Sequence, residues 1–270
     1  MKKPVTLYIL LLALSIGVLF LLNLFLGSVE IPFRSIWNIL WGMDEGESVI
    51  WQNIIWKSRV PQALTAMVAG AGLAVSGLQM QTVFRNPLAG PSVLGISSGA
   101  SLGVAFVVLL SGSIGGIALS RLGFMGEIAL TMAAIIGALS IMALIVYVSQ
   151  KVHGNVTLLI IGVMIGYVAN AVIGVLKFFS VEEDIRAYVI WGLGSFARVS
   201  GNQMMVFVCI MAVLLPLSFL LIKTLNLLLL GDAYARNLGL NIKRARLQVI
   251  ACSGVLVAIV TAYCGPITFL

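Results

Sequence analysis

Residues 157–179 read TLLIIGVMIGYVANAVIGVLKFF, a run whose single ionisable side chain, Lys177, comes near its far end. A helix of that length rises about 30 Å, the depth of a bilayer's hydrocarbon core. Runs of the same kind lie on both sides of it, and together they predict seven spans at about residues 5–27, 60–83, 92–111, 126–148, 157–179, 203–223 and 246–264. Composition agrees: 61% of the 270 residues are hydrophobic and 9% are charged, whereas soluble domains carry about 25% charged residues. A water-soluble enzyme would lack the polar surface to cover itself, and a disordered chain would have far less to bury. The fold class that follows is all-α, a polytopic membrane helical bundle. It forms one transmembrane domain over residues 1–270, with loops too short for a separate soluble domain.

The first run follows Lys2 and Lys3, is longer than a signal peptide's apolar region of about 7–15 residues, and has no Ala-x-Ala after it. It is expected to stay as an anchor. With the N-terminus cytoplasmic, the internal cations are Lys2, Lys3, Arg85, Lys151, Lys223, Arg236, Lys243, Arg244 and Arg246. These nine face seven outside: Arg34, Lys57, Arg59, Arg121, Lys177, Arg186 and Arg198. The split agrees with the excess of cations found on cytoplasmic loops, and Asp232 is the only acid on that side. Trp37, Trp41, Trp51, Trp56 and Trp191 all fall outside near span ends, where indole rings settle among headgroups. A short amphipathic helix over about 35–41 is expected along that interface. Cys209, Cys252 and Cys264 sit in apolar runs without a Cys-x-x-Cys, and the sole histidine, His153, lies in a polar loop. A His- or Cys-built metal or catalytic cluster is therefore not expected, nor any cofactor bound directly.

Polar and small residues break the apolar pattern at a few places. In the fifth span Gly162, Gly166, Asn170 and Gly174 recur every four residues, and in the third Gly95, Gly99 and Gly103 do the same. Such stripes share one helix face and either admit a close neighbour or line a pathway; a mid-span Asn170 faces a partner helix or water. Ser180-Val181-Glu182-Glu183 has the form of a capping box and predicts an external half-helix over about 181–191. Between the sixth and seventh spans, Gly231-Asp232-Ala233-Tyr234-Ala235-Arg236-Asn237-Leu238-Gly239-Leu240-Asn241 contains its own start and stop. Asp232 caps a helix and pairs with Arg236 at i,i+4, Gly239 gives a left-handed stop, and Asn241 caps a second helix. Two short helices over about 232–244 suit a soluble docking partner, while Lys243, Arg244 and Arg246 alone would suit anionic headgroups. Lys57 and Arg59, at the outer start of the second span, either snorkel to the headgroups or meet acidic residues of an external partner.

Five stretches, in order, resemble the membrane-spanning subunit of ATP-binding-cassette importers for iron-siderophore complexes, haem and cobalamin. They are Arg59-Val60-Pro61-Gln62, Phe84-Arg85-Asn86-Pro87-Leu88-Ala89-Gly90-Pro91, Leu94-Gly95-Ile96-Ser97-Ser98-Gly99-Ala100, Trp191-Gly192-Leu193-Gly194-Ser195-Phe196, and the Gly231–Leu240 loop. The resemblance implies docking of an external substrate-binding protein at Lys57 and Arg59; because Gln62 stands where the family often has a second arginine, docking leans on Lys57 or on fewer ion pairs. It implies a cytoplasmic gate at Asn86, Leu88, Asn155 and Thr157, and a pathway lined by Gly162, Gly166, Asn170 and Gly174. It further implies coupling to ATPase subunits through Gly231, Asp232, Ala235, Arg236, Leu238 and Gly239. The implied partners are a second permease subunit, identical or not, two cytoplasmic ATP-binding subunits and the lipid bilayer, with no nucleic acid. ATP and Mg would sit on the partner subunits, since this chain has no Gly-x-x-x-x-Gly-Lys-Ser/Thr loop. The family typically has ten spans in two inverted halves, so a C-terminally truncated member is expected.

The expected activity is therefore ATP-driven alternating access in the cytoplasmic (inner) membrane, with no catalysis on this chain. An ion-coupled secondary transporter is the alternative, and it would need ionisable relays within spans. Here the acids lie in loops or, like Glu127, at span ends. An intramembrane enzyme would need a clustered His, Asp or Cys constellation, which is lacking.

Overall fold

The computed structural model describes residues 5–43, 48–115, 124–152, 155–199 and 201–267; His153 and Arg121 lie outside them. In chain order the helices are α1 (Val5–Phe25), α2 (Phe33–Leu40), α3 (Val49–Ile54), a π-helical turn (Ile55–Arg59), α4 (Val60–Phe84), α5 (Ile96–Gly115) and α6 (Phe124–Lys151). They continue with α7 (Asn155–Phe178), α8 (Glu182–Gly192), a 3-10 turn (Phe196–Arg198), α9 (Gly201–Phe219), α10 (Ile222–Leu229), α11 (Asp232–Asn237) and α12 (Ile242–Cys264). No strand occurs among the described residues. Among the described residues six helices are long and apolar enough to cross a membrane, and the stretch Ile96–Leu110 of α5 is a shorter apolar helix. Each of the seven predicted runs thus meets a helix.

Three boundaries differ from the sequence reading, each for a local reason. The second crossing begins at Val49 rather than near residue 60, since α3, the π-helical turn and α4 run on as one helix to Phe84. Pro61 has no N–H to give, and its ring crowds the carbonyl four residues back; the wider turn over Ile55–Arg59 absorbs both. The sixth span ends at Phe219, soon after Pro216, and the apolar chain beyond it forms the separate helix α10. Ser180 does not cap α8. Val181 takes the N-cap position, while the Ser180 hydroxyl donates to Leu176 O (2.6 Å) and Leu109 O (3.1 Å), tying the ends of α7 and α5 together.

The chain divides into two compact units, residues 1–68 with 196–208 and residues 69–195 with 209–270. In the first, Ile31, Ile36, Ile39 and Ile55 form the core, with Phe25, Trp51 and Val60 packed on it. The other face of α2 carries a ladder of rings, Phe25 on Phe33 at 4.7 Å, Phe33 on Trp37 at 6.4 Å and Trp37 on Trp41 at 5.9 Å. Trp37, Trp41 and Trp56 are exposed and Trp51 is half-buried. Trp191 is the exception, only 2% exposed. It shares the buried face of α8 with Asp184 and Tyr188, so burial replaces the interfacial role expected of it.

In the second unit α12 is the axis, with 67% of its span buried. An apolar pattern that runs round the whole helix suits that place. Its few polar groups find partners on neighbours: Ser253 Oγ lies 2.6 Å from Ser76 Oγ of α4, and Thr261 Oγ1 lies 3.3 Å from Ser97 Oγ of α5. Helices α5 and α6 pack closely because glycines meet. A Cβ on Gly99 would lie 2.8 Å from Gly137 O, one on Gly137 would lie 2.9 Å from Gly103 N, and one on Gly103 would overlap Ala133 O. The α5 stripe is therefore a packing device. Gly137→Leu should lower stability by about 1–3 kcal/mol through backbone overpacking, while Gly174→Ala, which meets nothing within 4 Å, should leave it unchanged. Thermal unfolding of the detergent-solubilised protein compares the two.

Candidate functional site

The chain after α4 and the hairpin between α10 and α12 come together at one end of the second unit. Phe84 closes α4, and Arg85 follows with φ 50, a left-handed conformation that turns the chain sharply. A tight turn comes next: the Asn86 side-chain oxygen accepts from Leu88 N–H (2.9 Å) and the Asn86 carbonyl from Ala89 N–H (3.0 Å). Gln81 Nε2 donates to Pro87 O (3.1 Å), fastening the turn to the last coil of α4. Leu88 stands at the tip, 87% exposed.

Opposite it, α11 has the stop the sequence predicts. Gly239 sits at φ +84, its N–H donates to Arg236 O (2.9 Å), and Leu240 N–H donates to Ala235 O (2.9 Å). These two bonds form a Schellman closure, satisfying carbonyls that a helix end leaves free. Asn241 caps α12 by accepting from Arg244 N–H (3.2 Å). Ala235, Ile242 and Ala245 are buried, while Tyr234, Arg236 and Leu238 point away from the unit and are exposed. Asp232 differs from expectation. Gly231 holds the N-cap position, and the Asp232 carboxylate forms ion pairs with Arg85 Nη2 and Arg246 Nη2, both at 2.5 Å, instead of pairing with Arg236.

The α7 stripe divides in two. Gly162 and Gly166 are buried against the segment that opens α5: a Cβ on Gly162 would lie 3.0 Å from Leu94 Cα, and one on Gly166 3.4 Å from Ser98 Oγ. The buried line then passes to Ala169 and Ile173, leaving Asn170 and Gly174 exposed. Thr157 is exposed at the start of α7, and the side chain of Asn155 is outside the described ones. At the other end Lys177 Nζ lies 4.8 Å above the Tyr188 ring. Burial raises the Tyr188 phenol above its ordinary pKa, and a hydrogen bond with Ser101 opposes this. The phenol therefore stays protonated at neutral pH.

Arg59 is a structural residue in this fold. It is 5% exposed. Its Nη1 donates to Leu24 O (2.6 Å) and Phe25 O (3.3 Å), and its Nη2 donates to Val29 O. The guanidinium thus closes the carbonyls at the end of α1. Lys57, two residues earlier, is exposed. Among the described residues no group of three or more His, Cys, Asp or Glu is placed to hold a metal ion.

The profile of the FecCD transport family matches residues 12–270. The chain belongs to that family. Among curated relatives it is 35% identical to the hemin transport system permease protein HmuU of Yersinia pestis, over 91% of this chain and 70% of that one. It is likewise 35% identical to the vitamin B12 import system permease protein BtuC of Serratia proteamaculans, over 97% of this chain and 72% of the other. Among solved structures, an inward-facing metal-chelate type ABC transporter superposes with TM-score 0.76 at 29% identity, covering 97% of this chain and 77% of its own. FecCD membership and the apolar helices together make this an all-helical, multi-pass membrane transport protein.

For a FecCD chain, the residue that sequence reasoning passed over is Arg85. In the sequence it reads as a loop cation, and its partner lies 147 residues away, so no local spacing connects them. The usable signal was that Asp232 is the lone acid in a basic surrounding. Arg59→Ala should lower stability by about 2 kcal/mol or more, because buried carbonyls lose a charged donor. Lys57→Ala should change it little, and thermal unfolding of both variants in one detergent measures the contrast.

Proposed function

We propose that this chain is the permease subunit of a binding-protein-dependent ABC importer that moves haem, cobalamin or a related metal chelate across the cytoplasmic membrane. The observation that carries the proposal is the α11 hairpin, closed by Gly239, presenting exposed Tyr234 (70%) and Leu238 (62%) at the same end as the Asn86–Leu88 turn. A short rigid helix with two apolar side chains facing outward suits a groove on a soluble partner. That partner is an ATP-binding subunit, two of which hold the ATP and Mg. A second permease subunit, identical or related, completes the pathway, and the N-terminus lies in the cytoplasm.

Transport proceeds by alternating access. The external binding protein docks at the face carrying Lys57, and Arg59 supports that face from within. The exposed side of α7, with Asn170 and Gly174, lines the route between the two permease subunits; Gly162 and Gly166 hold α7 against α5. Leu88 and Thr157 border the cytoplasmic gate. ATP binding and hydrolysis act on α11, and the gate shifts only as far as the ATPase distinguishes the two permease states in affinity.

Proteoliposomes containing the permease with its ATPase subunits and binding protein should take up hemin or cyanocobalamin only when ATP is supplied on the ATPase side. Uptake without ATP under an imposed ion gradient would instead establish the ion-coupled reading. Lys57→Glu should weaken binding-protein capture at least five-fold at low salt, with a smaller effect at high salt where exposed charges are screened. Equal affinity under both conditions would remove Lys57 from docking.

A further inference from the structure

Among the described residues, the Arg85–Asp232–Arg246 group links separate chain segments of the second unit at this end. Asp232 is the first residue of α11, Arg85 directly precedes the Asn86–Ala89 turn, and Arg246 lies in the second turn of α12. Each carboxylate oxygen takes one guanidinium, Oδ1 from Arg85 and Oδ2 from Arg246, both at 2.5 Å. Arg85 Nη2 also reaches Leu228 O of α10 at 3.3 Å, so its head is held on two sides. Arg246 Nε is buried without a hydrogen-bond partner, which leaves Asp232 as the anchor of that guanidinium.

Two features make this more than a surface ion pair. The turn after Arg85 is internally braced by the Asn86 bonds to Leu88 and Ala89 and by Gln81 to Pro87, so its shape is fixed relative to Arg85. Arg85 itself, at φ 50, occupies a backbone region that non-glycine residues adopt rarely. Such a conformation persists where surrounding contacts enforce it, and the bonds to Asp232 and Leu228 are those contacts. Side-chain exposures of 42% for Arg85, 38% for Asp232 and 24% for Arg246 leave the group partly hydrated. Its contribution to stability is therefore modest, and its use lies in joining parts that move.

We propose that Asp232 is a positioning residue that straps α11 to both the Asn86–Ala89 turn and α12, so that a push on α11 is delivered to the gate turn through Arg85. This rests on the importer reading above for what pushes α11 and what the turn gates, but the strap is tested separately on the permease itself. The variants are Asp232→Asn, Arg85→Ala and the conservative Asp232→Glu.

In the wild-type chain in nanodiscs, the amides of Leu88 and Ala89 should exchange slowly because both are hydrogen-bonded within the turn. In Asp232→Asn and Arg85→Ala, hydrogen exchange of the peptide spanning residues 84–91 should rise at least five-fold, while exchange in α5 and α6 stays unchanged. Asp232→Glu should keep near wild-type protection. Unchanged exchange at 84–91 in Asp232→Asn would overturn the strap, as would an increase spread over the whole unit. In proteoliposomes of the complete transporter, hemin or cyanocobalamin moved per ATP hydrolysed should fall at least five-fold in Asp232→Asn and Arg85→Ala, and Arg85→Ala, which lies outside α11, should keep hydrolysis within two-fold of wild type. Transport and hydrolysis falling in step would overturn transmission in favour of lost ATPase docking. A wild type that moves neither probe with ATP, while the variants show the exchange pattern above, would overturn haem and cobalamin as substrates and sustain the strap.

Discussion

A helix leaving lipid for another helix gains little from the hydrophobic effect, because lipid tails are as apolar as leucine. Association in the bilayer therefore depends on how closely two backbones can come. In the second unit that closeness is supplied where Gly99 and Gly103 of α5 meet Ala133 and Gly137 of α6, and where Gly162 and Gly166 of α7 meet Leu94, Gly95 and Ser98. Everything at the two ends is placed by this packing: α7 is set against α5, α8 lies on α5, and α12 is enclosed by α4, α5 and α6.

The spans were readable because hydropathy over about twenty residues is a property of the local sequence alone. The α11 stop was readable for the same reason, since Gly239 and Asn241 act on carbonyls and amides within four residues. What escaped was set by distance or by helix geometry. A spacing of four advances about 40° beyond a full turn at each step, so a stripe that begins at Gly162 leaves the contact face by Asn170, and the buried line switches to Ala169 and Ile173. The break at Phe219 escaped because the apolar run carries on through it into α10. The early start at Val49 escaped because Trp51, Asn53 and Lys57 make the stretch look like a loop.

The charged residues were the hardest to assign, and the reason is common to them. A cation in a sequence has a location but no partner. Arg59 looks like a docking residue because it stands at an outer span end, yet three carbonyls of the α1 terminus and the loop after it take up its donors. Arg85 looks like a topology marker, yet it meets a carboxylate from the far side of the sequence. In both cases the helix terminus beside the cation decided its role, through groups that a terminus always leaves unsatisfied or through the turn that follows it. Lys57, by contrast, keeps its exposure, and only such a residue is free to meet another protein.

The difference between Arg59 and Asp232 follows from the surroundings of each. A guanidinium that is 5% exposed and bonded to carbonyls is a fixed closure, because withdrawing it would strand buried acceptors. A carboxylate that keeps 38% of its side-chain surface in water can exchange a guanidinium for solvent at small cost, since partly exposed pairs gain little over hydration. Rigid contact therefore belongs where α1 ends, and a hydrated, re-formable contact belongs where α11 meets Arg85. The proposed strap asks for that second kind of contact: strong enough to carry a displacement while it lasts, and weak enough to be remade afterwards.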